Sequence, residues 1–418
     1  MFKGYKIRLE LNDKQRTLAL KHAGVARHAY NWAVELTTVA FDNHEKILGS
    51  IDLHKLLVKD VKSEYAWYYD SSKCAPQQAL RNITTAWVRF FKELKDGTIS
   101  NKRKAYIRER KRKGLPIKES KLNSIGKPNF KKKGVNDNFY LEGAIITKGN
   151  KIKVPAFGWI KMSENIGEQK IKNVSISRTA DHWFVAFKVE AEKCYTNKTK
   201  EVVGVDLGIK TLAVLSDGTT FYAVKAYHRN KRKLAMAQRA VSRRFVREAK
   251  AQSKNYKKAA KKVADLHYKI ANIRMNATHQ LTTYLAKNHS VIGIEDLNVS
   301  GMAKNHKLAS AILDGGFAEF RRQLEYKVEW YGSKLIIADT FYPSSKLCSC
   351  CSNVKADLKL SDRTYNCDSC GISIDRDLNA AINLRKLAES YSVTLACGEA
   401  KTICSADSLG ETGMKQQV

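Results

Sequence analysis

Val202-Val203-Gly204-Val205-Asp206-Leu207-Gly208 is the stretch on which the reading of this 418-residue chain turns. Its valines, leucine and glycines describe a strand buried on both faces. Asp206 sits in the middle of it, where an ionised carboxylate is costly unless a cation or a hydrogen-bond donor meets it. Downstream the chain turns back through Thr211–Leu215, the turn Ser216-Asp217-Gly218 and Thr220–Val224, then enters a long helical stretch over residues 228–287. Val291–Ile294 is a second apolar strand and ends in Glu295-Asp296. A helix spans about 316–331, Leu335–Ala338 is a further strand, and Asp375–Leu387 opens another helix.

Three acids stand at strand or helix ends in this layout: Asp206, Glu295 and Asp377. Brought to one sheet edge from separate elements, they would hold two divalent ions, which activate water and stabilise the leaving oxygen of a phosphodiester. An RNase H-like fold delivers acids in this way, from the centre of its first strand, a later strand end and a helix. Taken singly each acid has a plainer role open to it. A lone Asp in a strand can cap a loop, and Asp296 or Asp375 can be a helix N-cap. The order strand, hairpin, basic helices, strand, cysteine pairs, helix favours the shared site.

Cys348-x-x-Cys351 is followed, after fifteen residues, by Cys367-x-x-Cys370. Two such knuckles close a tetrahedral thiolate site of the structural kind, for which zinc is the best-suited ion. Cys350 breaks the spacing and reads as a bystander. Cys74, Cys194, Cys397 and Cys404 read as small hydrophobes. Nine cysteines, an odd total with four in C-x-x-C pairs, describe a reducing compartment more than a secreted disulfide scaffold.

Before residue 200 the texture differs. Tyr5, Ile7, Leu9 and Leu11 alternate with Lys6, Arg8 and Glu10, which is a strand. Asn12 and Gln15 form a capping-box pattern, and helical spacing follows in Val25, Ala29, Trp32, Leu36 and Val39, and again in Leu80, Ile83, Trp87, Phe90 and Leu94. Strands return with Ile152 and Val154, and Val174 and Ile176 face Trp183, Val185, Phe187 and Val189 across a turn at Thr179–His182. A strand on each side of a helical insertion describes a split β-barrel.

Lys and Arg number 75 against 41 Asp and Glu, a formal charge of +34, and 43% hydrophobic residues leave enough apolar surface for a core. A folded chain carries such self-repulsion most readily for a polyanionic partner. Residues 102–133 hold 14 Lys/Arg and two acids, and residues 229–262 hold 14 Lys/Arg and one Glu. Tyr106 and Phe130 interleave the first tract, Tyr227, Phe245 and Tyr256 its surroundings or interior in the second, so phosphate pairing and base stacking are both available. Solvated helix faces usually carry both signs, and these do not. No run approaches the ~18 apolar residues of a membrane span, the first residues lack a signal-peptide core, and basic residues in several places do not suit a single lipid anchor.

GVDLGIK at 204–210, IGIEDLNVSGMAKNHKLA at 292–309, YPSSKLCSCC at 342–351 and CDSCGISIDRDLNAAINL at 367–384 together resemble the TnpB family, RNA-guided nucleases of insertion sequences related to type V CRISPR effectors. AYNWA at 29–33, APQQALRNITTAWVRFFK at 75–92 and GKPNFKKKG at 126–134 fit the same family, so the likeness runs to about residue 390. It implies an α+β multidomain chain. Residues 1–11 and 121–200 would be a split β-barrel wedge domain and 12–120 its helical recognition insertion. Residues 201–341 and 373–390 would be an RNase H-like (RuvC) α/β nuclease domain, 342–372 an inserted zinc ribbon, and 391–418 a mobile tail. The catalytic, magnesium-binding carboxylates would be Asp206, Glu295 and Asp377, the last chosen over Asp375 because it directly precedes LNAA. Zinc would fall on Cys348, Cys351, Cys367 and Cys370. Ser352 departs from the family, where a glycine is common, which touches the knuckle turn and not ligation. The partners implied are a structured guide RNA of the omega type and double-stranded target DNA, met by a cytoplasmic monomer. Ser71, Ser72, Lys73, Gln77 and Gln78 lie where relatives read a short target-adjacent motif, and Lys131, Lys132, Lys133, Arg243 and Arg244 belong to the basic tracts that would hold the RNA.

Other readings bear on the same residues. A nuclease-dead RNA-guided repressor would have lost its acids, and all three stand here. A transposase or transposase-accessory DNA-binding protein would call for a Tyr nucleophile beside a His-x-His motif, which is absent. An actin-like ATPase shares the D-x-G strand but needs a second phosphate loop and leaves the charge unexplained.

Overall fold

A computed structural model of the protein describes residues 1–247, 251–359 and 361–396, with side chains omitted at 392–396. The chain divides into two compact units, one ending at Ala191 and one beginning at Glu192.

In the first unit, β1 (Phe2–Glu10), β2 (Asn138–Lys148), β3 (Lys151–Val154), β4 (Gly158–Met162), β5 (Gln169–Thr179) and β6 (His182–Glu190) close a barrel in the order β1-β4-β3-β2-β5-β6. Period-two alternation turns Ile7, Leu9, Leu141, Ile152, Ile160, Val174, Ile176 and Val185 inward, where all are buried. The β5–β6 hairpin pairs Ile176 with Val185 and closes at Thr179 and His182. Its two turn residues, Ala180 and Asp181, have φ of 49° and 64°, the left-handed pair that a two-residue hairpin needs to match strand twist.

Between β1 and β2 lie α1 (Asp13–Asp42), α2 (Ser50–Leu56), α3 (Lys62–Glu64), α4 (Cys74–Lys95), α5 (Thr98–Arg112) and α6 (Glu119–Ser124). The capping box on α1 is made from both sides, Gln15 N to Asn12 Oδ1 at 2.8 Å and Asn12 N to Gln15 Oε1 at 3.2 Å. The α1 stripe expected through Trp32, Leu36 and Val39 is displaced. Leu36 and Val39 are exposed, and the buried face is Ala19, Ala23, Ala26, Ala29, Ala33, Val34 and Thr37. Alanines give that face the room in which Leu80, Ile83, Trp87 and Phe90 of α4 pack, and Trp87 Nε1 donates to Thr37 Oγ1 at 2.9 Å.

In the second unit, β7 (Lys200–Leu207), β8 (Thr211–Leu215), β9 (Thr220–Tyr222), β10 (His289–Glu295) and β11 (Lys334–Ala338) form a sheet in the order β11-β10-β7-β8-β9. The first three in sequence run antiparallel, and β10 and β11 lie parallel to β7, which is the RNase H-like arrangement. Around it are α7 (Ala226–Arg244), α8 (Lys254–Asn288), α9 (Val299–Met302), α10 (Ala309–Gly315), α11 (Phe317–Tyr331) and α12 (Arg376–Ala396), with the short pair β12 (Thr364–Asn366) and β13 (Ser373–Asp375). Val203, Val205, Ile292 and Ile294 pack with Leu281 and Leu285 of α8 and Phe320 and Leu324 of α11. Gly204 and Gly293, on the opposite face, lie under α12. Both faces of the central strands are covered, which is why they read as apolar runs.

Three sequence boundaries shift. The helical stretch expected over 228–287 is two helices, because Ser253 caps α8 by accepting from Tyr256 N at 3.1 Å while the Gln252 side chain bridges Val246 N and O. The unit boundary placed at residue 200 falls at Ala191, since the segment after it docks within the second unit: Cys194 N donates to Trp330 O and Lys198 Nζ to Ala286 O and Tyr331 O. Of the tail expected from 391, residues 391–396 belong to α12; residues 397–418, including Cys397 and Cys404, lie outside the described residues. No helix is long and apolar enough to cross a membrane among the described residues.

Candidate active site and thiolate cluster

Parallel pairing of β7 and β10 sets Gly204 beside Gly293 and Val205 beside Ile294. Asp206 and Glu295 therefore leave adjacent strands at their carboxyl ends, two residues beyond the paired glycines and on the same face. That face belongs to α12. A Cβ on Gly204 would stand 1.9 Å from Ala381 O and 2.4 Å from Arg385 N, and one on Gly293 would stand 2.5 Å from Leu384 O. Helix backbone thus lies directly on strand backbone. Asp377 is one turn before Ala381, so the seat that fixes Ala381 on Gly204 carries Asp377 towards Asp206.

Asp206, Glu295 and Asp377 line one cleft of about 980 Å³, together with Lys210, Lys231 and Lys346. Asp206 is 9% exposed and has no hydrogen-bond or ion-pair partner among the described residues. Burial pushes its pKa well above the ordinary carboxylate value, the charges of Glu295 and Asp377 push it further, and Arg376 opposes them. Burial also raises Glu295, against a hydrogen bond donated by Ser344 Oγ. Asp377 Oδ1 accepts from Arg376 Nη2 at 3.0 Å and Nε at 3.2 Å, and its other oxygen is 3.6 Å from Arg363 Nη1. The neighbouring acids have separate tasks. Asp375 caps α12 by accepting from Asp377 N and Leu378 N at 3.0 and 3.1 Å, and Asp296 is held by Arg321 and Thr340 rather than capping a helix. Two carboxylates lining the same cleft as an unpartnered buried carboxyl are the donor chemistry of a hard divalent cation.

The four thiols converge: Sγ atoms of Cys348, Cys351, Cys367 and Cys370 lie within 4.8 Å of one another, with Cys348 to Cys370 at 3.6 Å and Cys351 to Cys367 at 3.5 Å. A tetrahedral zinc with bonds of about 2.3 Å separates its sulfurs by about 3.8 Å, so the set fits that ion. The N–H of Cys370, with that of Ser369, pulls the Cys367 thiol down to about 6. Each knuckle turns through a left-handed residue, Ser352 at φ 60° and Gly371 at φ 72°. A serine there costs roughly 1–2 kcal/mol that glycine does not. Cys350 is exposed and its amide donates to Cys348 Sγ at 3.4 Å. Cys74 is buried, whereas Cys194, read as a small hydrophobe, is exposed.

Two asparagines join this lobe to the helix. Asn379 accepts from Ser349 N at 2.9 Å and donates to Leu347 O at 2.7 Å, and Asn383 donates to Ser344 O and Leu347 O at 2.8 and 2.7 Å. Both are fully buried. The lobe thus touches two of the three acids through named groups, Ser344 on Glu295 and Arg363 on Asp377. Ser344, Arg363, Arg376, Asn379 and Asn383 were not singled out from sequence, although each stands in or beside a quoted motif. Buried asparagine next to a metal-knuckle pattern was the usable signal.

The candidate nucleic-acid contacts are less uniform. Lys73, Lys132, Lys133, Arg243 and Arg244 are exposed. Ser72 Oγ accepts from Cys74 N at 3.3 Å at the start of α4, Gln77 Nε2 lies 3.4 Å from His54 Nε2, and Gln78 donates to Asn82 at 3.0 Å, so these three already have partners. Ser71 is half-buried. Lys131 is turned inward, its Nζ 4.1 Å from the centre of the Tyr30 ring.

Residues 317–384 match the family described as "Cas12f1-like, TNB domain", residues 186–306 the one described as "Probable transposase" of the OrfB_IS605 kind, and residues 1–46 its "Helix-turn-helix domain". A protein of Streptomyces pristinaespiralis named "Putative RNA-guided DNA endonuclease" is 33% identical over 95% of this chain and 91% of its own length. Its namesake InsQ of Escherichia coli (strain K12) is 31% identical over 94% of each. A solved Cas12f1–sgRNA–target DNA complex follows 92% of this chain and 98% of its own at 13% identity and a TM-score of 0.47. The class that the RNase H-like sheet, the barrel and the four-cysteine lobe define is that of the insertion-sequence OrfB proteins. Within it, the chain belongs to the TnpB family.

Proposed function

We propose that this protein is an RNA-guided DNA endonuclease of a transposable element, with residues 201–341 and 373–390 as its nuclease domain. In this reading 342–372 are a zinc ribbon, 1–11 and 121–191 a wedge, and 12–120 a recognition insertion, with 192–200 leading into the nuclease domain. The observation that carries it is the buried, unpartnered Asp206 carboxyl facing Glu295 and Asp377 across one basic-rimmed cleft. Asp206, Glu295 and Asp377 would hold two magnesium ions, which when bound activate water and neutralise the leaving oxygen, giving a 5′-phosphate. The chain's own part is placement. Ser344 orients Glu295, Arg376 and Arg363 orient Asp377, and the glycine seat fixes the helix that bears Asp377. Lys210, Lys231 and Lys346 draw a strand's phosphates into the cleft. The thiolate lobe would carry zinc structurally, bracing this arrangement. The basic tracts would bind a guide RNA whose pairing selects the DNA, the protein reading shape and backbone, and the protein would act in the cytoplasm as a monomer.

The test uses full-length protein purified with its co-expressed RNA and a plasmid carrying a matched target. Wild type cuts it only with a divalent cation, and Asp206→Ala abolishes cutting while keeping the RNA. Cleavage by Asp206→Ala, or cleavage in excess chelator, refutes the assignment.

A further inference from the structure

The loop Gly126–Gly134 carries four lysines and no acid, and it is not a loose loop. At its start Gly126, with φ 88°, lies so close to Ile99 and Phe90 that a Cβ would come within 2.8 Å of Ile99. Lys127 pairs with Asp42 at 2.5 Å and lies 4.8 Å over the Phe41 ring. In the middle, Asn31 of α1 grips the backbone of Lys131 from both sides, donating to its carbonyl at 3.0 Å and accepting from its N–H at 2.7 Å. The Lys131 side chain seals the same point on Tyr30. At the end, buried Asp137 accepts from Gly134 N at 3.3 Å and is held by Arg178 at 2.7 Å and Arg27 at 3.5 Å.

Between these clamps Phe130 is 60% exposed, next to exposed Lys132 and Lys133. A flexible loop could fold such a ring away from water; this one is fixed with the ring outward. A rigid, exposed aromatic on a loop with four lysines and no acid of its own suits a partner that offers flat faces and negative charge together. That is a nucleic acid strand. Preorganisation removes the ordering cost that stacking on a mobile loop would carry.

Resting on the reading of the protein as a nucleic-acid enzyme, we infer that Phe130 is a nucleobase-stacking residue, with Lys132 and Lys133 neutralising the adjoining phosphates. Lys131 is a positioning residue that helps hold the ring in place. The ligand is the open face of an unpaired or terminal base.

Full-length protein is titrated over a range of salt with an RNA hairpin bearing a single-stranded tail of 5-iodouridine, and with a DNA duplex whose tail carries 5-iododeoxyuridine. The expected result is a photo-crosslink to the peptide containing Phe130. Phe130→Ala loses that crosslink and weakens binding about 5- to 150-fold, with an unchanged salt slope because a neutral ring releases no counterions. Phe130→Trp restores both. Lys132→Ala/Lys133→Ala instead lowers the slope by roughly 1.5. A crosslink to RNA alone assigns the ring to the guide, one to DNA alone to the target. Wild-type binding and crosslinking by Phe130→Ala with both probes overturns the inference. So does a defect seen only on vesicles containing phosphatidylserine, which would make the loop a membrane contact. A wild-type chain that bound neither probe would overturn the functional reading as well, whereas the Phe130→Ala outcomes leave that reading standing.

Discussion

Gly204→Ala puts the geometry of the cleft to its hardest test. The added Cβ would be 1.9 Å from Ala381 O, whereas such contacts essentially never fall below 3.0 Å and are ordinary from 3.4 Å. Helix α12 must therefore withdraw from β7 by 1.1 to 1.5 Å. The obstacle is backbone carbonyl and amide, so no side-chain rotation can absorb it. Forced overpacking of this kind costs about 1–3 kcal/mol. Asp377, one turn along the same helix, moves with it, and a displacement of about 1 Å at a reacting centre costs on the order of 100-fold in rate. Single-turnover cleavage of a matched, end-labelled duplex should accordingly fall about 100-fold or more, with RNA retention unchanged and a lowered melting temperature. Gly293→Ala, whose Cβ would be 2.5 Å from Leu384 O, should follow with a smaller loss. Gly49→Ala, with nothing within 4 Å, should leave the cleavage rate unchanged. Wild-type rate and melting temperature in Gly204→Ala would refute the close seating of α12 and the placement of Asp377 that follows from it.

Asp206→Asn should lose cleavage yet melt higher at neutral pH. A carboxyl whose folded pKa is raised contributes stability that is complete below its unfolded value near 4 and is lost as pH rises through the folded value. The advantage of the Asn variant should therefore vanish near pH 4 and grow upward, about 2–4 °C for each kcal/mol; a constant difference across that range in scanning calorimetry would contradict the assigned burial. Cys367→Ser should lower the zinc content found by elemental analysis and destabilise the second unit while the first keeps its melting transition, and a metal-free, fully stable variant would remove the thiolate site.

Much of this was legible before any coordinates. Asp206 announced itself because a charged residue in an apolar strand conflicts with its surroundings, and the cysteine pairs did so by spacing alone. The barrel's alternation, the capping box and the β5–β6 hairpin are local patterns, set by neighbours in sequence. What stayed hidden depends on distant neighbours. Leu36 and Val39 fit a helical stripe as well as Ala26 and Ala33 do, and only the bulk of Trp87 and Phe90 opposite decides which face is covered. Gly204 and Gly293 looked like ordinary strand glycines, since their role appears only when parallel register sets them side by side beneath α12. Ser344 and Arg363 escaped notice because a hydroxyl or guanidinium is uninformative until the carboxylate it meets is known. Lys131, counted among phosphate contacts from its charged neighbours, lies over the Tyr30 ring, a placement that its neighbours in sequence do not announce.

The barrel's topology has a consequence for synthesis. Strand β1 is translated well before its partner β6, with which it pairs from Phe2 opposite Glu190 to Leu9 opposite Trp183. At about 5–20 residues per second, the ribosome delivers that partner roughly ten to forty seconds after β1 has emerged. Throughout that interval the nascent chain presents an unpaired edge bearing Ile7 and Leu9, while the α1–α4 hairpin can already form. An engineered version with β1 moved behind β6 would have both partners leave the exit tunnel together, and should fold faster and aggregate less during expression.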